Sequence, residues 1–259
     1  MTEGAQLAET ELGALAIEAF FYGFPLVFDL SQVRRFEREG IGAVPATPYN
    51  QFGHANRLAG PETTFVSVNN DTVCSIANVD VSGGPVCLEV PDTQGRYYAL
   101  QFVDAWTNNF AYVGHRATGT EAGSFLLVER DWGGEPPSGV RVIRFPTNIA
   151  TLVGRWAVDG EADLPNVAEL QERLTLTPPA PGDGVPDGDP RVPEDLHFFE
   201  QLRVWMAHSR HQHATRPTSG ASPRSACSIR NRPTPTPPAR RRTCCGKRTQ
   251  PPGRKWKRR

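Results

Sequence analysis

The fold is decided by residues 72–104, which read TVCSIANVDVSGGPVCLEVPDTQGRYYALQFVD. Three runs rich in β-branched and aromatic residues, which favour strands, are separated by Ser82-Gly83-Gly84 and by Asp92-Thr93-Gln94-Gly95. Glycine tolerates positive φ, and Ser or Asp side chains bond nearby backbone, so both separators are turn sequences. The stretch therefore predicts three strands joined by tight turns, at 72–81, 86–90 and 96–104.

The same pattern continues on both sides of this stretch. Short strands separated by turns about every ten residues indicate a mainly β fold, an antiparallel sandwich or jelly roll. The further strands are predicted at 64–68, 110–116, 124–129 and 140–145. We expect one domain with an N-terminal helix and meandering segment (1–62) and a β-rich core with terminal helices (63–207), followed by a basic disordered tail (208–259).

Apolar residues at helical spacing predict one helix before the strands and two after them. Leu12, Leu15 and Phe20 share one face of an amphipathic N-terminal helix, and Pro25 is expected to bend or end it. After the strands, Asp163 can cap a helix that carries Pro165 in its first turn.

The last predicted helix, at 194–206, has Leu196, Phe199, Leu202 and Met206 at helical spacing. The residues that follow contain almost nothing apolar to cover this face. We therefore expect the face to be exposed and the chain to be prone to aggregation or proteolysis.

Membrane signals are weak in this sequence. The apolar stretch 20–30 is interrupted by Gly23, Pro25 and Asp29, and no basic region precedes it. We expect neither a signal peptide nor a transmembrane helix, no membrane partner, and a soluble, cytoplasmic protein.

Charge and amino-acid composition change abruptly between Ala207 and His208. All 28 acidic residues precede the break, whereas 15 of the 28 basic residues follow it, so the formal net charge of zero averages two unlike segments. Beyond the break, Ile229 and Trp256 are the only aliphatic or aromatic residues larger than alanine. We interpret the tail as the product of a frameshift. The alternative, nucleic-acid binding through fifteen positive charges, rests wholly on the tail.

Polar and aromatic residues gather at the predicted strand ends. They serve turns and strand register in one interpretation. In the other they converge on a small ligand such as a polyol or carboxylate, with Trp106 or Tyr112 as a stacking face and Arg96 binding an anion. The candidate ligand-binding residues are Asn69, Asn70, Asp71, Arg96, Tyr97, Asp104, Trp106, Asn108 and His115.

A hydrolase-type enzyme is the alternative to a binding domain. It requires Asp71, Arg96, Asp104 and His115 to meet in one cleft. Among possible nucleophiles and bases the sequence offers Ser75, Cys74, His54, His115 and His197. Nothing is spaced as a triad, and Cys74 has the context of an inert core thiol.

Metal and cofactor signals are also weak. His197 and Glu200 are three apart on a predicted helix but have no partner pair. Asp183, Asp187 and Asp189 lie in a loop that misses the EF-hand spacing. We expect no metal and no cofactor.

Five ordered motifs between residues 69 and 119 resemble domain of unknown function family 1254 (DUF1254). They are NNDTVCS (69–75), DVSGGP (80–85), VPDTQGRYY (90–98), DAWTNNF (104–110) and GHRATG (114–119). The resemblance spans roughly 12–207 and implies a β-rich domain with flanking helices, usually followed by a domain of family 1214. Here the basic tail stands in that place. The resemblance also allows homo-oligomers in intact relatives.

One position departs from the family pattern. Cys74 stands where the family usually has a tyrosine, and the resemblance carries over no catalytic residue. The expected function is that of a small-molecule-binding or interaction domain.

Overall fold

The computed structural model describes residues 3–61, 63 and 69–209. The strand predicted at 64–68 and the tail from 210 onward lie outside the described residues. Within them, nine strands form two sheets. The strands are β1 (Gly53–His54), β2 (Thr72–Asp80), β3 (Val86–Val90), β4 (Tyr98–Asp104), β5 (Asn109–Gly114), β6 (Gly123–Glu129), β7 (Arg141–Phe145), β8 (Ile149–Ala157) and β9 (Thr175–Thr177).

One sheet has five antiparallel strands in the order β1-β2-β8-β4-β5, and the other has four in the order β7-β6-β3-β9. The second sheet is mixed, because β6 and β7 run parallel. A shared apolar core is lined by fully buried side chains from both sheets, among them Val79, Leu88, Leu100, Phe102, Leu127, Leu152 and Trp156. The mainly β prediction is confirmed, with the mixed pairing as a correction to a purely antiparallel arrangement.

The central strand of the larger sheet, β8, was missed by the sequence analysis. Its run Ile149–Val153, apolar except for Thr151, is followed by Gly154, which is uncommon inside strands, and by the charged Arg155. The structure explains Gly154: a Cβ there would lie 2.9 Å from the Ser75 carbonyl oxygen and 3.0 Å from the Leu100 side chain. The close packing of β8 between β2 and β4 therefore requires glycine at position 154, the residue that hides the strand pattern in the sequence.

The N-terminal helix, α1 (Glu3–Glu39), continues through Pro25. Of the two predicted effects of Pro25, a bend or an end, the end is wrong. Proline removes the hydrogen bond to the carbonyl four residues earlier, and that residue, Phe21, is exposed, so water can take the bond. The second half of α1 packs on the five-stranded sheet, where the Asn78 side-chain amide donates to the Val33 carbonyl at 3.0 Å.

The two further helices predicted after the strands are observed as α2 (Leu164–Glu172), which follows β8, and α3 (His197–Ser209), with the short strand β9 between them. The expectation of an exposed apolar face over 194–206 is corrected in part. Leu202 and Trp205 are buried against Leu26 and Leu30 of α1, whereas Leu196 is 47% exposed. Most of the large exposed apolar side chains lie on α1.

The loop between β9 and α3 is tied to the body at several points. Both oxygens of the buried Asp80 carboxylate accept hydrogen bonds, from Ser82 on one side and from the Gly184 backbone amide on the other, at 2.6–2.8 Å. Arg34 of α1 donates to the carbonyl of Val185 at 3.0 Å. The Pro/Gly/Asp loop is therefore anchored rather than free.

Candidate functional site

The candidate residues separate into two groups at opposite ends of the five-stranded sheet. Arg96 precedes β4 and Asp104 ends it, so eight residues of extended chain, about 26 Å, lie between them. Asp71 lies at the Arg96 end, because Thr72 pairs with Ala157 and Tyr98 with Trp156. The four residues of the hydrolase hypothesis do not meet in one cleft.

At the far end, Asp104 organises a turn. Its Oδ1 accepts hydrogen bonds from the backbone amides of Trp106 and Asn108, both at 2.9 Å, and the Asn108 side-chain amide also donates to it. Thr107 takes φ 67°, a left-handed conformation that the turn imposes. Asp104 and Asn108 thus have the structural role that strand-end Asx residues often take.

Trp106 lies on the outside of this turn and packs on α1. Its ring centroid is 5.3 Å from that of Tyr22. The ring that the sequence suggested as a ligand-stacking face is in contact with another part of the chain.

At the near end, Arg96 is occupied by Asp163. Its two terminal nitrogens donate to the two carboxylate oxygens at 2.5 and 2.8 Å, and Nη1 also donates to the Ala157 carbonyl at 2.7 Å. The hydrogen bond from Arg96 holds the pKa of Asp163 well below its usual range, helped by the Asp159 amide and by Asn166. Asp163 therefore binds Arg96 and makes no capping bond to α2, contrary to the sequence expectation.

Beside this ion pair lies an open cleft of about 540 Å³, lined by Thr93, Gln94, Gly95, Arg96, Tyr97, Ala157, Val158 and Asp159. Tyr97 is 39% exposed. Its ring centroid is 5.9 Å from the His115 ring and 5.9 Å from the Arg116 guanidinium carbon. Asn69, Asn70 and Asp71 are exposed at the same end of the sheet. Six of the nine candidates thus share this end.

A serine–histidine contact is present that spacing did not reveal. Nδ1 of His54 lies 2.8 Å from Ser75 Oγ, brought there by the β1–β2 pairing. The same Oγ accepts from Trp156 Nε1 at 2.9 Å and from Gln171 Nε2 at 3.2 Å. A hydroxyl has two acceptor lone pairs and one donor, so Ser75 must donate its proton to His54.

This network is structural. Ser75 is fully buried, and both oxygen lone pairs are used, which leaves none for attack on a substrate. Burial lowers the pKa of His54, which keeps its ring neutral and able to accept from Ser75. The arrangement fixes β1 and α2 onto β2.

A half-buried carboxyl on α1 was also missed as a functional candidate. Asp29 Oδ2 is inaccessible and has no hydrogen-bond partner among the described residues. Burial, together with the nearby charge of Asp104, raises the pKa of Asp29 to about 7. The available signal was a single acidic residue within the apolar run 20–30.

The first half of α1 carries an apolar stripe of four residues. Ile17, Phe21, Phe24 and Phe28 are between 46% and 74% exposed. Their spacing of four, three and four residues places them along one side of the helix. Gly23, on the other side, faces Leu202 of α3. We call these four residues the α1 stripe.

By length and composition, residues 11–39 form the one helical segment in the described part of the chain that could cross a membrane. The interruption expected at Gly23, Pro25 and Asp29 does not break the helix, so that reason for excluding a span is wrong. Buried helices and N-terminal signal sequences meet the same criterion. Leu26, Leu30 and Val33 are buried in protein core.

Comparison with known proteins finds a solved structure of similar architecture but assigns no activity. The VPA0106 protein from Vibrio parahaemolyticus has a similar crystal structure, with a TM-score of 0.60 and 24% identity over 76% of this chain and 47% of that one. An uncharacterised Burkholderia cenocepacia protein matches with a TM-score of 0.33 and 10% identity, over 74% of this chain and 49% of that one. The chain thus spans about half the length of these solved structures. No curated protein matches it.

The sequence profile described as "Protein of unknown function (DUF1254)" matches residues 49–178, half of the chain. This range contains β1 to β9 and α2, that is, both sheets and the helix that closes their core. The chain belongs to the DUF1254 family.

Proposed function

We propose that this chain is an interaction domain that pairs with a second copy of itself through the α1 stripe. The observation that carries the proposal is the row of exposed apolar side chains at Ile17, Phe21, Phe24 and Phe28. The Arg96 cleft and the Ser75 network support a function less strongly, because Arg96 is paired with Asp163 and Ser75 Oγ has no lone pair left for a substrate.

The first half of α1 has the composition of a covered helix. Between residues 12 and 24, Glu18 is the only charged residue. A helix that is apolar on nearly all sides is normally buried. A contiguous apolar patch of this size on a soluble domain marks an interaction site.

A second copy fits the stripe because of its spacing. The four-three-four spacing is that of a coiled-coil seam, so the complementary surface is another helix with the same spacing, which a second α1 supplies. The four side chains of the stripe are 46–74% exposed. At roughly 100 Å² each they offer about 400 Å², half the share of one partner in a standard interface, so residues that flank the stripe must supply the rest.

Other occupants fit less well. The residues after the compositional break contain only Ile229 and Trp256 as large apolar groups. The uncovered segment 12–24 is about 20 Å long, shorter than the roughly 30 Å of a bilayer core. Its continuation is held by protein through Leu26 and Leu30.

Sedimentation velocity on the full chain tests the proposal. The wild-type chain should form a concentration-dependent dimer, and the double variant Phe21→Glu/Phe24→Glu should be monomeric with an unchanged circular dichroism spectrum. The matched control is Tyr112→Glu, which changes an aromatic residue that is 52% exposed on β5. The control should still dimerise.

A monomeric wild-type chain at about 100 μM, well above the Kd of a typical stable dimer, would refute self-association. So would wild-type binding to neutral phosphatidylcholine vesicles that the double variant lacks, because it would assign the stripe to lipid.

Small-molecule binding in the cleft beside Arg96 is the second candidate. Its volume of about 540 Å³ is within the range of ligand sites, and Tyr97 offers an exposed ring. Calorimetric titration of small carboxylates and polyols into wild type and Tyr97→Ala tests it. Binding of equal strength to both proteins would remove Tyr97 from the site.

We also propose that the segment after Ala207 arises from a shift of reading frame. The support is the loss of every acidic residue and nearly all large apolar residues at one point. Resequencing the coding DNA across codon 207 and translating all three frames tests this. A confirmed DNA sequence in which neither of the other two frames encodes a segment with the composition of a globular protein would contradict it.

A further inference from the structure

The outer face of the five-stranded sheet carries an arginine in its middle. Trp156 of β8 points into the core and is fully buried, so Arg155 and Ala157 on either side of it point to the outer face. Both residues are half-buried. α1 covers this face farther along, where Asn78 donates to the Val33 carbonyl. Arg155 therefore lies on a part of the sheet that solvent reaches.

The cross-strand neighbours of Arg155 are short and uncharged. The register places Cys74 of β2 and Ala99 of β4 beside it, one on each side. The charge of Arg155 opposes the rise that burial causes in the pKa of the Cys74 thiol, which agrees with a guanidinium lying near that residue. Among the described residues, none forms an ion pair or a hydrogen bond with the Arg155 side chain. A guanidinium with no carboxylate beside it is available to an anion from solution.

The cleft beside Arg96 adjoins this second arginine. Tyr97 and Ala157 line the cleft, and the Ala157 amide donates to the Tyr97 carbonyl at 3.0 Å. Arg155 lies two positions before Ala157 on the same face, about 7 Å away, and is the diagonal neighbour of Tyr97, within reach of a long side chain. Arg96, the anion site suggested by the sequence, is instead held by Asp163. Arg155 is thus an unpaired cation at the inner edge of the cleft.

We propose that Arg155 is the anion-binding residue of this cleft and that the site takes a small aromatic monocarboxylate. The guanidinium donates two parallel hydrogen bonds to the carboxylate. The ring of the ligand lies over the short side chains of Ala99 and Ala157, against the Tyr97 ring, which is 39% exposed. This assignment rests on the second candidate function, ligand binding in the cleft, and is independent of the α1 stripe.

The charges around the cleft favour a single negative charge on the ligand. One unpaired guanidinium balances one carboxylate. Asp159 lines the same cleft, so a second negative group on the ligand would meet repulsion there. A monocarboxylate therefore fits better than a phosphate or a dicarboxylate, and the apolar floor favours an aromatic body over a polyol.

Titration of the full chain with sodium benzoate, followed by two-dimensional ¹H–¹⁵N spectra, tests the assignment. Arg155→Gln should weaken benzoate binding about tenfold or more, because it removes hydrogen bonds between two charged groups. Ala99→Leu keeps the charge but fills the floor, and should weaken binding as well. Arg173→Gln is the matched control, because Arg173 is exposed at the end of α2. It should bind benzoate as the wild type does.

A second readout reports on the guanidinium itself. The Nε–Hε signal of Arg155, identified by its absence from Arg155→Gln, should move on addition of benzoate. It should stay in place with benzyl alcohol, which has the ring without the charge. Circular dichroism spectra of all variants should match that of the wild type, since the substituted side chains lie outside the core.

Three outcomes would overturn the assignment, and they separate it from the cleft as a whole. If benzoate binding is weakened by Tyr97→Ala but not by Arg155→Gln, the cleft binds ligand and only the role of Arg155 is refuted. An Arg155 signal that does not move at saturating benzoate leads to the same conclusion. No binding of benzoate to the wild type at about 10 mM, weaker than the millimolar range of small-ligand sites, would refute both Arg155 and the cleft as a carboxylate site.

Discussion

Gly23 provides the sharpest test of how α1 is docked, because it separates helix propensity from packing. A Cβ placed there would lie 2.4 and 2.5 Å from the two methyl carbons of Leu202 and 2.9 Å from its Cγ. All three distances are below ordinary contact, and Leu202 is itself buried beside Trp205. The close approach of α1 and α3 therefore depends on the missing side chain.

The expected effect of Gly23→Ala is a balance of two terms. Alanine favours the helix by about 1 kcal/mol relative to glycine, whereas overpacking a filled site costs about 1–3 kcal/mol. Because the whole end of Leu202 must shift by about 1 Å to restore normal contact, we expect overpacking to win. The free energy of unfolding should fall by about 1 kcal/mol.

Gly13→Ala is the matched control in the same helix. A Cβ at Gly13 meets nothing within 4 Å, so only the propensity term acts and stability should rise by up to about 1 kcal/mol. Both variants are measured by urea unfolding followed by circular dichroism and tryptophan fluorescence. Equal shifts in the same direction would refute the packing argument. Adding Leu202→Ala to Gly23→Ala should cost less than Leu202→Ala alone.

Two further predictions concern buried polar groups. Burial lowers the pKa of His54, so the unfolded chain binds its proton first and stability should fall as the pH drops below about 6.5; His54→Gln should remove this component, and an unchanged slope would contradict the neutral ring. Asp80→Asn should lose part of the anchoring of Gly184 and speed tryptic cleavage after Arg191, whose side chain is 88% exposed. Asp195→Asn, at an exposed residue beyond the loop, is the control and should change cleavage little.

The sequence pattern was sufficient to predict those elements whose structure depends mainly on their own residues. The strands predicted at 72–81 and 86–90 are observed as Thr72–Asp80 and Val86–Val90, because alternating branched residues and glycine turns act over a few positions. The start of α2 was likewise predicted from Pro165, which lies in its first turn. The polar strand ends were recognised, and the structure divides them between the two ends of the sheet.

The missed features depend on contacts between distant residues. His54 and Ser75 are 21 positions apart, and Arg96 and Asp163 are 67 apart. The first contact requires a two-residue strand that no periodicity can reveal. The continuity of α1 at Pro25 depends on which side of the helix faces water, which is fixed only by docking on α3.

The position of β8 at the centre of the larger sheet also sets an order of events during synthesis. Ser75 and Leu100 both pair with Gly154, so β2 and β4 cannot be joined until the ribosome has released a segment more than fifty residues further along. Until then each presents an unpaired strand edge, the surface on which chains associate wrongly. Pairing over such separations is also slow. We expect the nascent chain to depend on protection of these edges until β8 arrives between them.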